Sequence, residues 1–495
     1  MKKRNYLSAA IAFTLCLFTF GACSGQNVYS GGYLSTEDAG LTAGEDYTEI
    51  VENAFIKTAE QSSSYFSIDA NTASYPNLRN LIENGLTIPK DAVRVEEMLN
   101  YFSYDYETPE NDDILALTSS VFDTPYNSET KLMTIGLAAK EVELSSQSNN
   151  LVFLIDVSGS MNSPEKLPLV QESFKLLTES LGESDRVSVV TYASGDAVAL
   201  DGAYGYEKSK ILSTIEDLSA GGTTAGSRGI ERAYQLAEEH FIEGGNNRVI
   251  LATDGDFNVG VTSNAALEEL IAEKRETGVY FSVFGFGRGN IQSSKMETLA
   301  LAGNGAYSYI DSKTEAKRAL VEEINGTLLT VAKDVKAGVT FNAEYVDSYR
   351  LIGYENKLLT QEEFEDDATD AGELGSGHKV TVVYELKLTQ KALADGGNFA
   401  QVSVKYKPTE NSGGLEEESS ELKLDIATSA YRTQKTTQDS FIAAVIEFAL
   451  LLRDSAYKGD ATLDGLLGRL NALDLESDEF KKEFRALVVK YQENI

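Results

Sequence analysis

The residues of this chain best suited to chemistry fall in three short stretches. Asp156-Val157-Ser158-Gly159-Ser160 follows the apolar run "LVFLI", Thr223 lies in "GGTTAG" (221–226), and Asp254 closes "LATD". An aspartate with hydroxyls at i+2 and i+4 of a turn lets three oxygens converge, and Gly159 eases the tight backbone path. Such a set could be a metal clamp, a serine nucleophile, or a plain turn that caps the next helix. All five side chains are hard oxygen donors with no thiolate or imidazole among them, which suits Mg2+, Mn2+ or Ca2+ rather than Zn2+. The capping alternative accounts for Asp156 and Ser158 but leaves Asp254 unexplained.

For these stretches to meet, the elements that carry them must end at one edge. Apolar strand candidates at 151–157, 186–192, 248–253, 279–286 and 306–310 alternate with helical segments at 164–181, about 207–217, 227–243, 264–276 and 313–331. Near-continuous apolar strands between amphipathic helices predict an α/β fold, a doubly wound and mostly parallel sheet with both faces covered. "AVAL" (197–200) reads as an antiparallel edge strand. Ligands of open α/β sheets bind beyond the carboxyl ends of the strands near the switch point. Asp156, Ser158, Ser160, Thr223 and Asp254 would lie there.

At these residues the chain resembles the von Willebrand factor A domain, whose metal-ion-dependent adhesion site (MIDAS) they match at all five positions. The resemblance implies a Rossmann-like fold and a Mg2+ touched by the serines and the threonine, with the aspartates acting directly or through water. It also implies an open position that the carboxylate of a protein partner completes. "SIDANTASYPNLRNLIENG" (67–85), "PKDAVRVEEMLNYFSYDY" (89–106) and "KDVKAGVTFNAEYVDSYRLIGYENK" (333–357) are similar to the flanking parts of a bacterial subfamily of A-domain lipoproteins. That likeness covers most of residues 60–490. It supplies architecture rather than an activity, since the subfamily's C-terminal domain has no defined role.

The ends of the chain fit an exported protein. "MKKR" followed by "YLSAAIAFTLCLFTF" has the basic and apolar regions of a signal peptide (1–22), too short and too terminal for a spanning helix. Phe20-Gly21-Ala22-Cys23 resembles a bacterial lipobox, with Phe20 in place of the usual leucine. Cys16 lies within the leader, so a mature chain would hold Cys23 alone, without a disulfide partner. Lipidation of Cys23 would anchor the protein to the cell membrane, outside the cytoplasm. Residues 23–50 read as a flexible Gly/Ser/Thr-rich tether. The remaining divisions are an N-terminal extension (51–145), the A domain (146–333), a β-rich domain of period-2 runs (334–432) and a helical segment (433–495) starting near Asp439 or Ser440. "FIAAVIEFALLL" (441–452), interrupted by Glu447, reads as a core helix. The formal net charge of −34 argues against nucleic acid as a partner and for attraction of cations.

Several motifs point elsewhere and fail. "SPEK" (163–166) has the S-x-x-K form, but no K-T-G or S-D-N follows, and Ser163 before Pro164 reads as a helix cap. "DGDFNVG" (254–260) opens like an EF-hand, yet Val259 holds the turn position and Ala265 replaces the closing Glu. "GFGRGN" (285–290) carries Asn290 where a dinucleotide loop needs its third glycine. The two histidines, His240 and His378, are not in a triad order with any serine motif. The acidic run 362–373 reads as a solvated loop. The leading expectation is therefore a non-enzymatic protein-binding or adhesion module. Its rivals are a metal-dependent envelope hydrolase, with Asp256 as base, and a scaffold in which the metal is only structural.

Overall fold

A computed structural model describes residues 47–142, 148–193, 196–221, 227–255, 264–288, 292–392, 396–413 and 419–495. Cys23, the leader, Thr223 and Asp256 lie outside these residues.

The apolar runs after residue 149 form one six-stranded sheet. Its order is Tyr307–Ile310, Val279–Phe286, Asn246–Thr253, Asn149–Asp156, Arg186–Tyr192 and Asp196–Tyr204. All pairings are parallel except the last, where Asp196–Tyr204 runs antiparallel to Arg186–Tyr192 at the edge. Both faces are covered, which is why the strands read as continuous apolar runs. Leu151, Phe153 and Ile155 pack with Val170, Phe174 and Leu177 of the helix Leu167–Ser180. Val152 and Leu154 face the other way, onto Ile230, Ala233 and Tyr234 of the helix Ser227–Glu239. The chain builds outward from Asn149–Asp156 on one side and then returns to build on the other. The switch point therefore falls between Asp156 and Thr253.

Three local expectations change. The first helix starts at Leu167 rather than Pro164; residues 163–166 form a turn in which the Lys166 amide donates to the Ser163 carbonyl at 3.0 Å. A further helix, Ser293–Ala302, occupies the span between the last two strands. The 313–331 segment breaks into Lys313–Lys317, a π-turn at Arg318–Glu322, and Ile324–Leu328.

The larger correction concerns the flanks. The stretches 51–145, 334–432 and 433–495 are not separate bodies in series. One sheet runs Ile56–Lys57, Val346–Ile352, Lys379–Leu388, Lys131–Ala139, Leu115–Asp123, Tyr431–Arg432. A second runs Leu358–Leu359, Ser63–Ser67, Thr330–Phe341, Asn398–Pro408, Ser420–Ala427. Each sheet draws strands from both sides of the central domain, and the two enclose a shared core of Phe66, Met133, Ile135, Val339, Tyr349, Tyr384 and Val402, among others. The helices Ser74–Glu83 and Val95–Asn100 join the C-terminal helices in a further core around Tyr75, Phe102, Phe441 and Phe484. The physical reason is that a five-residue strand such as Ser63–Ser67 cannot bury both faces alone and must pair with a distant one. The last helix group begins earlier than expected: Thr436 caps Thr437–Arg453, and Asp439 closes a capping box on it. No helix among the described residues is long and apolar enough to cross a membrane.

Candidate metal centre

The strand Asn149–Asp156 is buried along its whole length and ends on Asp156. Beyond it the chain makes one 3-10 turn, Gly159–Met161, pinned in the core by the fully buried Met161. This turn returns the Ser158 amide to Asp156 Oδ1, to which it donates at 2.8 Å. It also sets the Ser158 and Ser160 hydroxyls 2.9 Å apart, with Ser160 exposed and Ser158 buried. The other carboxylate oxygen, Oδ2, accepts from the Tyr192 hydroxyl at 3.3 Å and the Thr253 hydroxyl at 3.5 Å. Thr253 in turn accepts from the Gly255 amide at 3.2 Å. Two neighbouring parallel strands thus deliver Asp156 and Thr253-Asp254 to one spot, because Ile155 and Ala252 are in register.

The third stretch is tied to the same place through its backbone. The Gly221 amide donates to the Val157 carbonyl at 2.7 Å, and the Val157 amide donates to the Tyr192 carbonyl at 3.1 Å. Gly221 precedes Thr223 by two residues, but Thr223 itself lies outside the described residues. The structure therefore brings together Asp156, Ser158 and Ser160, with Asp254 on the adjoining strand end.

Electrostatically the site asks for a cation. Asp156 and Asp254 are both fully buried. Burial pushes the Asp156 carboxyl up to about 6; the Ser158 donors oppose this and the nearby Asp254 charge adds to it. A carboxylate held this way by neutral hydroxyl and amide donors, with a second carboxylate beside it, is a donor set that a hard divalent ion fits.

One further residue reaches the site from outside the three stretches. Lys166, seen in the sequence only as the end of a false S-x-x-K motif, extends its ammonium to Asp254 Oδ2 at 2.7 Å. The contact spans 88 residues of chain, so no local signal marks it. The histidines stand apart from the site. His240 Nε2 is 2.6 Å from Asp201 Oδ1 at the sheet edge. His378 lies in the sandwich, where burial lowers it to about 4 and its Nδ1 accepts from the Gly375 amide at 3.1 Å.

The family described as "von Willebrand factor type A domain" matches residues 150–325, a span that holds the whole candidate centre. The chain contains a von Willebrand factor type A domain. The A domain is a protein-interaction or adhesion module, set here between two further matched regions. "von Willebrand factor" matches residues 42–134, and "Uncharacterized protein YfbK, C-terminal" matches residues 326–493. "Uncharacterized protein YfbK" of Escherichia coli (strain K12) is 42 % identical over 363 residues, covering 72 % of this chain and 63 % of its own length. "Inter-alpha-trypsin inhibitor heavy chain H3" of Mus musculus is 28 % identical over 193 residues, or 37 % of this chain and 21 % of that one. The chain thus spans less than two thirds of the length of these curated relatives. Among solved structures, "von Willebrand factor type A from Catenulispora acidiphila" aligns with a TM-score of 0.43 at 18 % identity, over 78 % of this chain and 91 % of that one.

Proposed function

We propose that this protein is an extracytoplasmic module, anchored to the cell membrane through a lipid on Cys23, that grips an acidic group of a protein partner through a divalent metal. Asp156, Ser158, Ser160, Thr223 and Asp254 would hold the ion, Mg2+ in the first instance and Mn2+ or Ca2+ as alternatives. The observation that carries the reading is the buried Asp156, whose charge is met by two hydroxyls and one amide at the switch point of the sheet. Bound there, the ion would supply a Lewis-acidic position for an incoming carboxylate. The chain's own residues orient that position: the Ser158–Ser160 turn presents one hydroxyl at the surface and one beneath it.

The test is thermal unfolding of the purified full chain in EDTA and in Mg2+, with calorimetry of Mg2+ binding. A ligand of the native state alone raises the melting temperature, by about 2.7 kcal/mol of stabilisation at a hundredfold excess over Kd. Mg2+ is expected to raise the melting point of the native sequence and to leave Asp156→Ala unmoved. Identical melting in EDTA and Mg2+, with no heat of binding, would refute the site. For the anchor, fatty-acid labelling of the native chain that persists in Cys23→Ser would rule out Cys23 as the attachment point.

A further inference from the structure

We infer that Lys166 is a built-in counter-cation of the metal centre, one that weakens its hold on the divalent ion and leaves the loaded site short of negative charge. The inference rests on the metal-site reading above and deepens it, because it names what sets the ion's affinity and its demand for an anionic partner.

The observations are geometric. Lys166 is 7 % exposed and Asp254 is fully buried, and the two are joined at 2.7 Å. The lysine is placed by three separate elements. Its backbone caps the helix Leu167–Ser180, with the Val170 amide donating to the Lys166 carbonyl at 2.9 Å. Its stem passes Gly287, which follows the strand Val279–Phe286 and stands at φ +74°. A Cβ at residue 287 would come within 2.4 Å of Lys166 Cγ and 2.6 Å of its Cε, so the absent side chain is what leaves room for the stem. Tyr309 holds that turn by donating to the Gly287 carbonyl at 2.8 Å. A buried lysine steered onto one of only two carboxylates of the set is a constructed arrangement, unlike a surface pair.

The consequence follows from charge. A divalent ion with two carboxylates would be neutral in sum. With the ammonium of Lys166 on Asp254, the same loaded site keeps an unbalanced positive charge. It binds the metal less tightly and attracts an incoming carboxylate more strongly. Like charges in a buried site repel far more strongly than they do in water.

The experiment is calorimetric titration of the full chain with MgCl2 in three forms: native, Lys166→Gln and Lys166→Arg. Lys166→Gln is expected to bind Mg2+ at least about tenfold more tightly than the native chain, while Lys166→Arg, which keeps the charge, stays within about threefold. If Lys166→Gln folds only with metal, Lys166→Met and the Mg2+ dependence of the melting temperature give the same comparison, with a steeper rise than the native chain. Equal or weaker binding by Lys166→Gln, with native binding intact, overturns this inference and leaves the metal site standing. Mg2+ binding by none of the forms overturns both.

Discussion

Arg79→Met is the perturbation that best tests how the central domain is held by the rest of the chain. Arg79 sits on the helix Ser74–Glu83 with its side chain 5 % exposed. Its Nε and Nη2 donate to the two oxygens of Asp311 at 2.8 and 2.7 Å, and Nη2 also donates to Glu315 at 2.8 Å. Nη1 reaches Glu483 at 3.1 Å and the Tyr101 hydroxyl at 2.9 Å. Asp311 precedes the central domain's short helix Lys313–Lys317 and Glu315 lies within it, while Glu483 belongs to the C-terminal helix Glu479–Asn494, so one guanidinium joins three parts of the chain. In the variant Glu315 keeps Arg318, which donates to it at 2.7 and 2.9 Å. Asp311 loses its guanidinium and stays buried. Breaking one side of a buried pair costs about 3–5 kcal/mol. With an unfolding entropy of roughly 1 kcal/mol/K for a chain of this length, the melting temperature should fall by about 3–5 °C at pH 7.

The sign with pH is set by Asp311. Burial already raises its folded pKa and Arg79 opposes that rise, so loss of Arg79 raises it further. A raised carboxyl pKa means the folded state binds the extra proton, so the deficit is largest at neutral pH and shrinks as pH falls toward 5. Arg79→Met/Asp311→Asn should recover about 2 kcal/mol or more of the loss. Calorimetric melts of the four members of the cycle at pH 7 and pH 5 read all of this. A loss below about 1 kcal/mol, a deficit independent of pH, or no rescue by Asp311→Asn would refute the claim that this cluster fastens the domain.

Two other substitutions are decided by single contacts. Glu373 is buried, neither of its carboxylate oxygens has a hydrogen-bond partner among the described residues, and desolvation first, then Asp334 and Asp370, raises its pKa well above the ordinary range. Native stability should therefore rise as pH is lowered from 7.5 toward 5. Glu373→Gln should add about 1–3 kcal/mol at neutral pH while flattening that slope, as read by urea unfolding. Gly287→Ala puts a side chain at φ +74° and against the Lys166 stem, so it should cost about 2–3 kcal/mol. Paired with Lys166→Gln, the cost should be less than additive; strict additivity of the melting shifts would mean the two do not touch.

The sequence by itself determined the central sheet and marked out one side of the candidate metal centre. Both depend on short-range information. Apolar runs of five to eight residues show strands covered on both faces, helical periodicity shows what covers them, and Asp156, Ser158 and Ser160 meet inside a single turn. Asp254 was legible as well, because it too ends an apolar strand, and parallel strands share a carboxyl edge. Tertiary structure alone decided the rest. The pairing of Ser63–Ser67 with Thr330–Phe341 leaves no local trace, since a short strand looks the same whether its partner is near or some 270 residues away. Nothing local marks Lys166 or Arg79 as buried, since long basic side chains are normally solvated. Their burial depends on carboxylates brought from other elements: Asp254 for one, Asp311 and Glu315 for the other. Periodicity records which face of an element is dry. The partner of a buried charge on that face is set only when distant elements pack.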